Sequence, residues 1–219
     1  MRQSETASQL EFDWPAFEDY YLNLYRALEG KGEFVSKVQE YPELVQPSPA
    51  NEKTADEYHF KAAWVCLTEL RPEEAAKHLE GLSDAARKDS FFFFLSENIF
   101  MATGDWQRLI ELGQQRMRRT PNESRGWIIQ AIGLEKMRKI QEAYSLLLGV
   151  LPQFSKDFFV HYNLACFACR LGKNEEAWSL LKNSFSMTTQ EEFERWTLSD
   201  DDLAPIKERL VEMVKTKWN

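Results

Sequence analysis

An interval of 34 residues constrains this chain more than any other feature. Ala75, Leu109, Ala143 and Ala177 each follow a turn by a few residues, and successive members lie 34 apart. Stepping back twelve positions gives Ala63, Glu97, Ala131 and Ala165; stepping on four gives Leu79, Gly113, Leu147 and Leu181. Small and apolar residues at fixed offsets are what closely crossing helices require, and a fixed period of about 20–50 residues marks stacked repeats. Each period reads as a helix, a tight turn and a second helix. The turns are Leu70 to Pro72, Gly104-Asp105, Arg138 to Ile140 and Gly172-Lys173. Gly just past a helix end takes the left-handed conformation without a Cβ penalty, and Pro72 suits the first turn of the next helix. Pro121 and Pro152 close two of the second helices.

The pattern resembles the tetratricopeptide repeat at Trp127, Ala131, Leu134, Ala143 and Leu147, and again at Leu164, Ala165, Gly172, Ala177 and Leu181. Glu97 and Gly113 depart from it. The resemblance implies an all-α fold, a right-handed solenoid of antiparallel helix pairs. Four units are expected at 56–89, 90–123, 124–157 and 158–190. Upstream, a mobile tail is expected over 1–11, a degenerate helix pair over 12–45 and a Pro-containing loop over 46–55. Tyr162-Asn163-Leu164-Ala165-Cys166, Leu171-Gly172-Lys173, Trp196 and Asp200-Asp201-Asp202-Leu203-Ala204-Pro205-Ile206 resemble the C-terminal end-of-group repeat of bacterial proteins. That likeness implies an acidic bridge and a capping helix over 191–219, and Asp202 is of the type to N-cap it. It also implies a bacterial source.

In such a repeat the first helices line a concave face. The resemblance places Phe60, Trp64, Phe91, Phe94, Asn98, Ile128, Ile132, Phe159 and Tyr162 there as a peptide-binding groove. The Lys/Asn/Arg positions that hold a C-terminal carboxylate in tetratricopeptide co-chaperones are not matched, so that recognition mode is rejected. A mostly apolar face of this size exceeds what monomers leave exposed. It fits an apolar or amphipathic segment of another protein, in an adaptor- or chaperone-like role. Two other occupants stay open: the chain's own N-terminus, through Leu10, Phe12, Trp14 and Phe17, or a second copy forming a homodimer.

Composition removes whole classes. The 27 Lys and Arg stand against 35 Asp and Glu, a formal charge of -8, which argues against a nucleic-acid partner. No apolar run reaches the ~18 residues of a membrane span. Three cysteines make no disulfide framework, which points to a cytoplasmic protein. Cys166-Phe167-Ala168-Cys169 is formally C-x-x-C, but it falls mid-helix rather than at a helix N-terminus, so packing is the expected role. Metal ligation would need two further ligands; His161 is near in sequence but on a different side of the helix, and His59 and Cys66 lie three repeats away, so neither metal nor cofactor is expected. His78, beside Lys77 and Glu80, reads as solvated. Arg116, Arg118 and Arg119 read as dipole-complementing charges at a helix end. No phosphate loop, nucleophile elbow or zinc-protease motif occurs, so no enzymatic activity is expected.

Overall fold

The computed structural model describes residues 52–217; the expected tail, the degenerate pair and most of the Pro-containing loop lie outside them. Among the described residues every regular element is helical. Ten α-helices follow in order: α1 Glu52–Thr68, α2 Pro72–Glu80, α3 Ser90–Thr103, α4 Trp106–Arg119, α5 Arg125–Lys136, α6 Ile140–Val150, α7 Phe158–Arg170, α8 Asn174–Ser184, α9 Gln190–Thr197 and α10 Lys207–Lys217. Because α1 begins at Glu52, residues 52–55 are helical rather than loop.

The chain forms two compact units, Met1–Ser83 and Asp84–Asn219. In the first, α1 and α2 pack as a pair over Ala63, Leu67, Ala75 and Leu79, each no more than 5% exposed. Asp56 ties the far end of the pair, accepting from Ser83 N (2.8 Å) and Ser83 Oγ (2.6 Å).

In the second unit each helix packs on the next from α3 to α8. The repeat is visible in its hydrogen bonds. Gly104 and Gly172 take positive φ (70° and 75°), and so do Arg138 (64°) and, in the first unit, Leu70 (58°). At all four turns the following N–H reaches back five residues: Arg71 to Cys66 O (2.8 Å), Asp105 to Phe100 O (2.9 Å), Lys139 to Leu134 O (2.9 Å) and Lys173 to Ala168 O (2.8 Å). This is one helix-ending motif repeated every 34 residues, with its left-handed residue in the same place each time. Leu109, Ala143 and Ala177, each at 0% exposure, sit one turn into the next helix.

Gly113 earns its crossing position by size. A Cβ there would lie 2.7 Å from Gly126 O, and one on Gly126 would lie 2.8 Å from Met117 N, so α4 and α5 approach at backbone contact. Glu97, the other departure, is 4% exposed and takes the Arg125 guanidinium of α5 as its partner, with Nε at 3.2 Å. Glu135 repeats the device one helix pair later: it is 7% exposed and paired with Arg170 of α7.

Helices α9 and α10 follow the last helix pair. Helix α9 opens with a capping box between Thr189 and Glu192. The following 3₁₀ turn, Asp201–Ile206, buries Leu203 (0%) and Ile206 (2%), and α10 buries Leu210 (0%). The N-cap is Asp200, not Asp202: its Oδ1 accepts from Asp202 N at 2.8 Å. Asp202 instead lies 3.8 Å from Arg170. An aspartate caps by reaching two residues forward, so the first acid of the run takes the role.

Candidate binding face

The nine expected groove residues fall in both units. In the first unit Phe60 and Trp64 are half-buried on α1. In the second, Phe91 and Phe94 of α3 are half-buried and stack at 6.1 Å. Asn98 gives its side-chain amide to Phe94 O at 2.8 Å, so it braces its own helix. Ile128, only 2% exposed, is core. Ile132 packs partly buried against the same core.

The strongest grouping is at the C-terminal end. Phe159 of α7 remains 38% exposed although large and apolar. Its ring meets Trp196 of α9 edge-on at 5.2 Å, and Tyr162 meets Trp196 at 5.7 Å. Phe158 stacks on Tyr162 at 6.0 Å and meets Phe159 at 5.3 Å. Beside them lies a cavity of about 600 Å³, walled by Phe154, Phe158, Phe159, Met187 and Trp196. That volume is within the range of about 300–1,000 Å³ typical of ligand sites. Gln153, Ser155, Lys156, Asp157, Thr188 and Glu192 supply its polar atoms.

Two of those groups are already committed. Asp157 caps α7, accepting from Phe159 N at 2.8 Å and from Ser124 Oγ. Glu192 accepts from Thr188 Oγ1 and from Thr189 N at 3.3 Å, and these bonds hold its carboxyl below the usual range. The face therefore presents rings, with carboxylates fixed at two helix starts.

Trp196 belongs to this face although it was not among the nine. The missing step was one more interval of 34: Phe60, Phe94, Ile128, Tyr162 and Trp196 share one position in successive periods.

The polar cluster beneath the face is structural. Tyr162 donates its hydroxyl to Asp200, and Cys166 Sγ lies 3.4 Å from the same carboxylate. Burial, with the Asp200 charge added, pushes the Cys166 thiol well up; burial and then Asp202 push Cys169 up to about 11. A thiol so placed stays protonated, the opposite of a redox cysteine. Asp202 is raised by burial, against the pull of Arg170. Among the described residues no group of three or more His, Cys, Asp or Glu is placed to hold a metal ion. No described helix is long and apolar enough to cross a membrane.

His78 is only partly solvated. It is half-buried, and its Nδ1 lies 3.2 Å from Nδ1 of His59 on α1. Helix α2 is short and packs on α1, which puts its second half against that neighbour. Of the basic residues, Arg116 meets Glu123 at 3.8 Å and Arg119 lies over the Phe93 ring at 5.1 Å.

No protein-family model matches the chain, and no curated protein does. Solved structures of MamA do. A mutant form is 19% identical with a TM-score of 0.46, the match covering 75% of this chain and 96% of that one. MamA MSR-1 is 18% identical with a TM-score of 0.46, covering 74% and 97%.

Proposed function

We propose that the chain is a non-catalytic binding module, an adaptor- or chaperone-like protein. It holds an apolar or amphipathic segment of another protein on the face formed by the first helices of its repeats. One observation carries this reading: Phe159 stays 38% exposed beside the half-buried Tyr162 and Trp196 and an open cavity, while the other apolar side chains of α7 are buried. Large apolar groups left in water at one place are a binding surface or a liability. Each anchor buried by a partner contributes roughly 1.5–3 kcal/mol before ordering costs.

The test selects peptides from a random displayed library on the full chain, then measures them on the Phe94→Ala/Phe159→Ala double variant with helicity monitored by circular dichroism. A loss of at least tenfold at unchanged helicity is the expected result. Unchanged affinity sinks the face. Light-scattering mass on the same samples addresses the remaining occupants, since a dimer that selects no peptide assigns the face to a second copy.

A further inference from the structure

The two histidines of the first unit are arranged in a way that packing alone does not require. Their rings come from different helices, are tilted by 51° and turn their Nδ1 atoms toward each other at 3.2 Å. A neutral pair has one proton for these two nitrogens, so one Nδ1 donates and the other offers a lone pair. The arrangement is held from several sides. Tyr58 sets its edge against both rings, at 5.3 and 5.8 Å. A Cβ on Gly81 would lie 2.3 Å from Cε1 of His59, so that ring occupies space only a glycine leaves. The Asp56–Ser83 bonds fix the segment after α2 to α1.

Two imidazole nitrogens bound to one tetrahedral cation have a fixed separation. Bonds of about 2.0–2.1 Å at the tetrahedral angle put them roughly 3.3 Å apart. The observed 3.2 Å matches this separation without moving either helix. We infer that His59 and His78 form a two-imidazole site for Zn²⁺, joining α1 to α2. Imidazole nitrogen is a ligand type this ion favours. On binding, the imidazole that carried its proton on Nδ1 passes to the Nε2–H tautomer, so both rings stay neutral and both Nδ1 lone pairs turn to the ion. Burial holds His78 below its ordinary basicity, which keeps it in the neutral, ligating form. The Glu74 carboxylate favours positive charge at His78, and Arg71, bonded to Glu74 at 2.5 Å, opposes it.

The test uses the full chain, stripped with a chelator, and Zn²⁺ alone as probe. Calorimetric titration should show one ion per chain and a saturable rise in melting temperature. His59→Gln and His78→Gln should each weaken binding at least tenfold and abolish the rise. The wild-type chain gives an independent readout should a variant misfold. It has three histidines, and nuclear magnetic resonance should show the imidazole signals of His59 and His78 moving with the ion while His161 stays. Absence of binding overturns the site. So does an adventitious ion only, meaning uptake with no thermal rise, a rise that survives both substitutions, or resonance shifts at His161.

Discussion

At the residue scale, the four turns separate what glycine does from what position does. Leu70 and Arg138 hold the left-handed conformation that Gly104 and Gly172 hold, and a Cβ there costs about 1–2 kcal/mol. Leu70 is 69% exposed, so its side chain packs little. Leu70→Gly should therefore stabilise by about 0.5–1 kcal/mol after the added freedom of the unfolded chain is subtracted, read as a shift in urea midpoint. Gly172→Ala is the converse. Nothing lies within 4 Å of a Cβ there, so the expected loss of about 1 kcal/mol is backbone strain alone. The sequence marks two of these turns with glycine and leaves the other two to leucine and arginine, yet counting 34 from Gly104 in either direction lands on both. His78 was harder to read, because its neighbour lies nineteen residues away on the preceding helix. Burial and then His59 lower its pKa in the fold, opposed by Glu74 and joined by Arg71. The unfolded chain then binds the proton more readily. Stability from this group is full above about pH 6.5 and falls as pH drops below that value. Urea midpoints measured between neutrality and mild acid should decline in the wild-type chain and decline less in His78→Gln.

At the scale of elements, the conspicuous breaks in the repeat became its cross-links. A glutamate where the other periods have alanine reads as a fault in packing until Arg125, on the next first helix, is placed against it. No rule of spacing gives that pairing, because it depends on a long side chain crossing between helices. Glu97 is 5% exposed at the side chain and Arg125 32%, so the two halves of the pair are unequal. Arg125→Ala removes the guanidinium partner of a buried carboxylate and should cost about 3 kcal/mol. Glu97→Ala restores the residue found at Ala63, Ala131 and Ala165 and leaves a cation that reaches solvent. Its cost should stay within about 1 kcal/mol. Chemical denaturation of both variants measures the asymmetry, and equal costs would mean that the pair contributes by packing rather than charge. The same scale explains the binding face. Phe94, Tyr162 and Trp196 follow the period, whereas Ile128 shares their position and is buried. The interval identifies which residues share a position, and local packing decides which of them meet water.

At the scale of the whole molecule, an array of helix pairs must end somewhere, and its last pair exposes an apolar side unless something covers it. One further step of 34 from Ala165 and Leu181 reaches Ser199 and Lys215, both exposed, while Trp196 keeps the face position and Glu175 still pairs with Arg209 at 2.6 Å. The chain thus continues the period, with Val211 at the crossing position of Ala177 and the polar Ser199 and Lys215 at the positions flanking it. What this closing segment covers includes Cys166 and Cys169, at 5% and 6% exposure, with their thiols raised by burial and by Asp200 and Asp202. The third thiol, Cys66, is raised chiefly by burial in the first unit. Reaction with an aromatic disulfide reagent follows thiolate fraction and access, so all three should react slowly in the intact chain at pH 8. Deleting residues 200–219 removes both carboxylates and the buried Leu203, Ile206 and Leu210, each of which contributes roughly 1.5–3 kcal/mol. Two thiols should then react quickly while Cys66 keeps its rate, and light scattering should show association through the uncovered helices. If the rates of Cys166 and Cys169 do not change while ellipticity falls only by the deleted helix, the thiols are shielded by α7 and α8 alone. The acidic segment would then be an appendage rather than the cap.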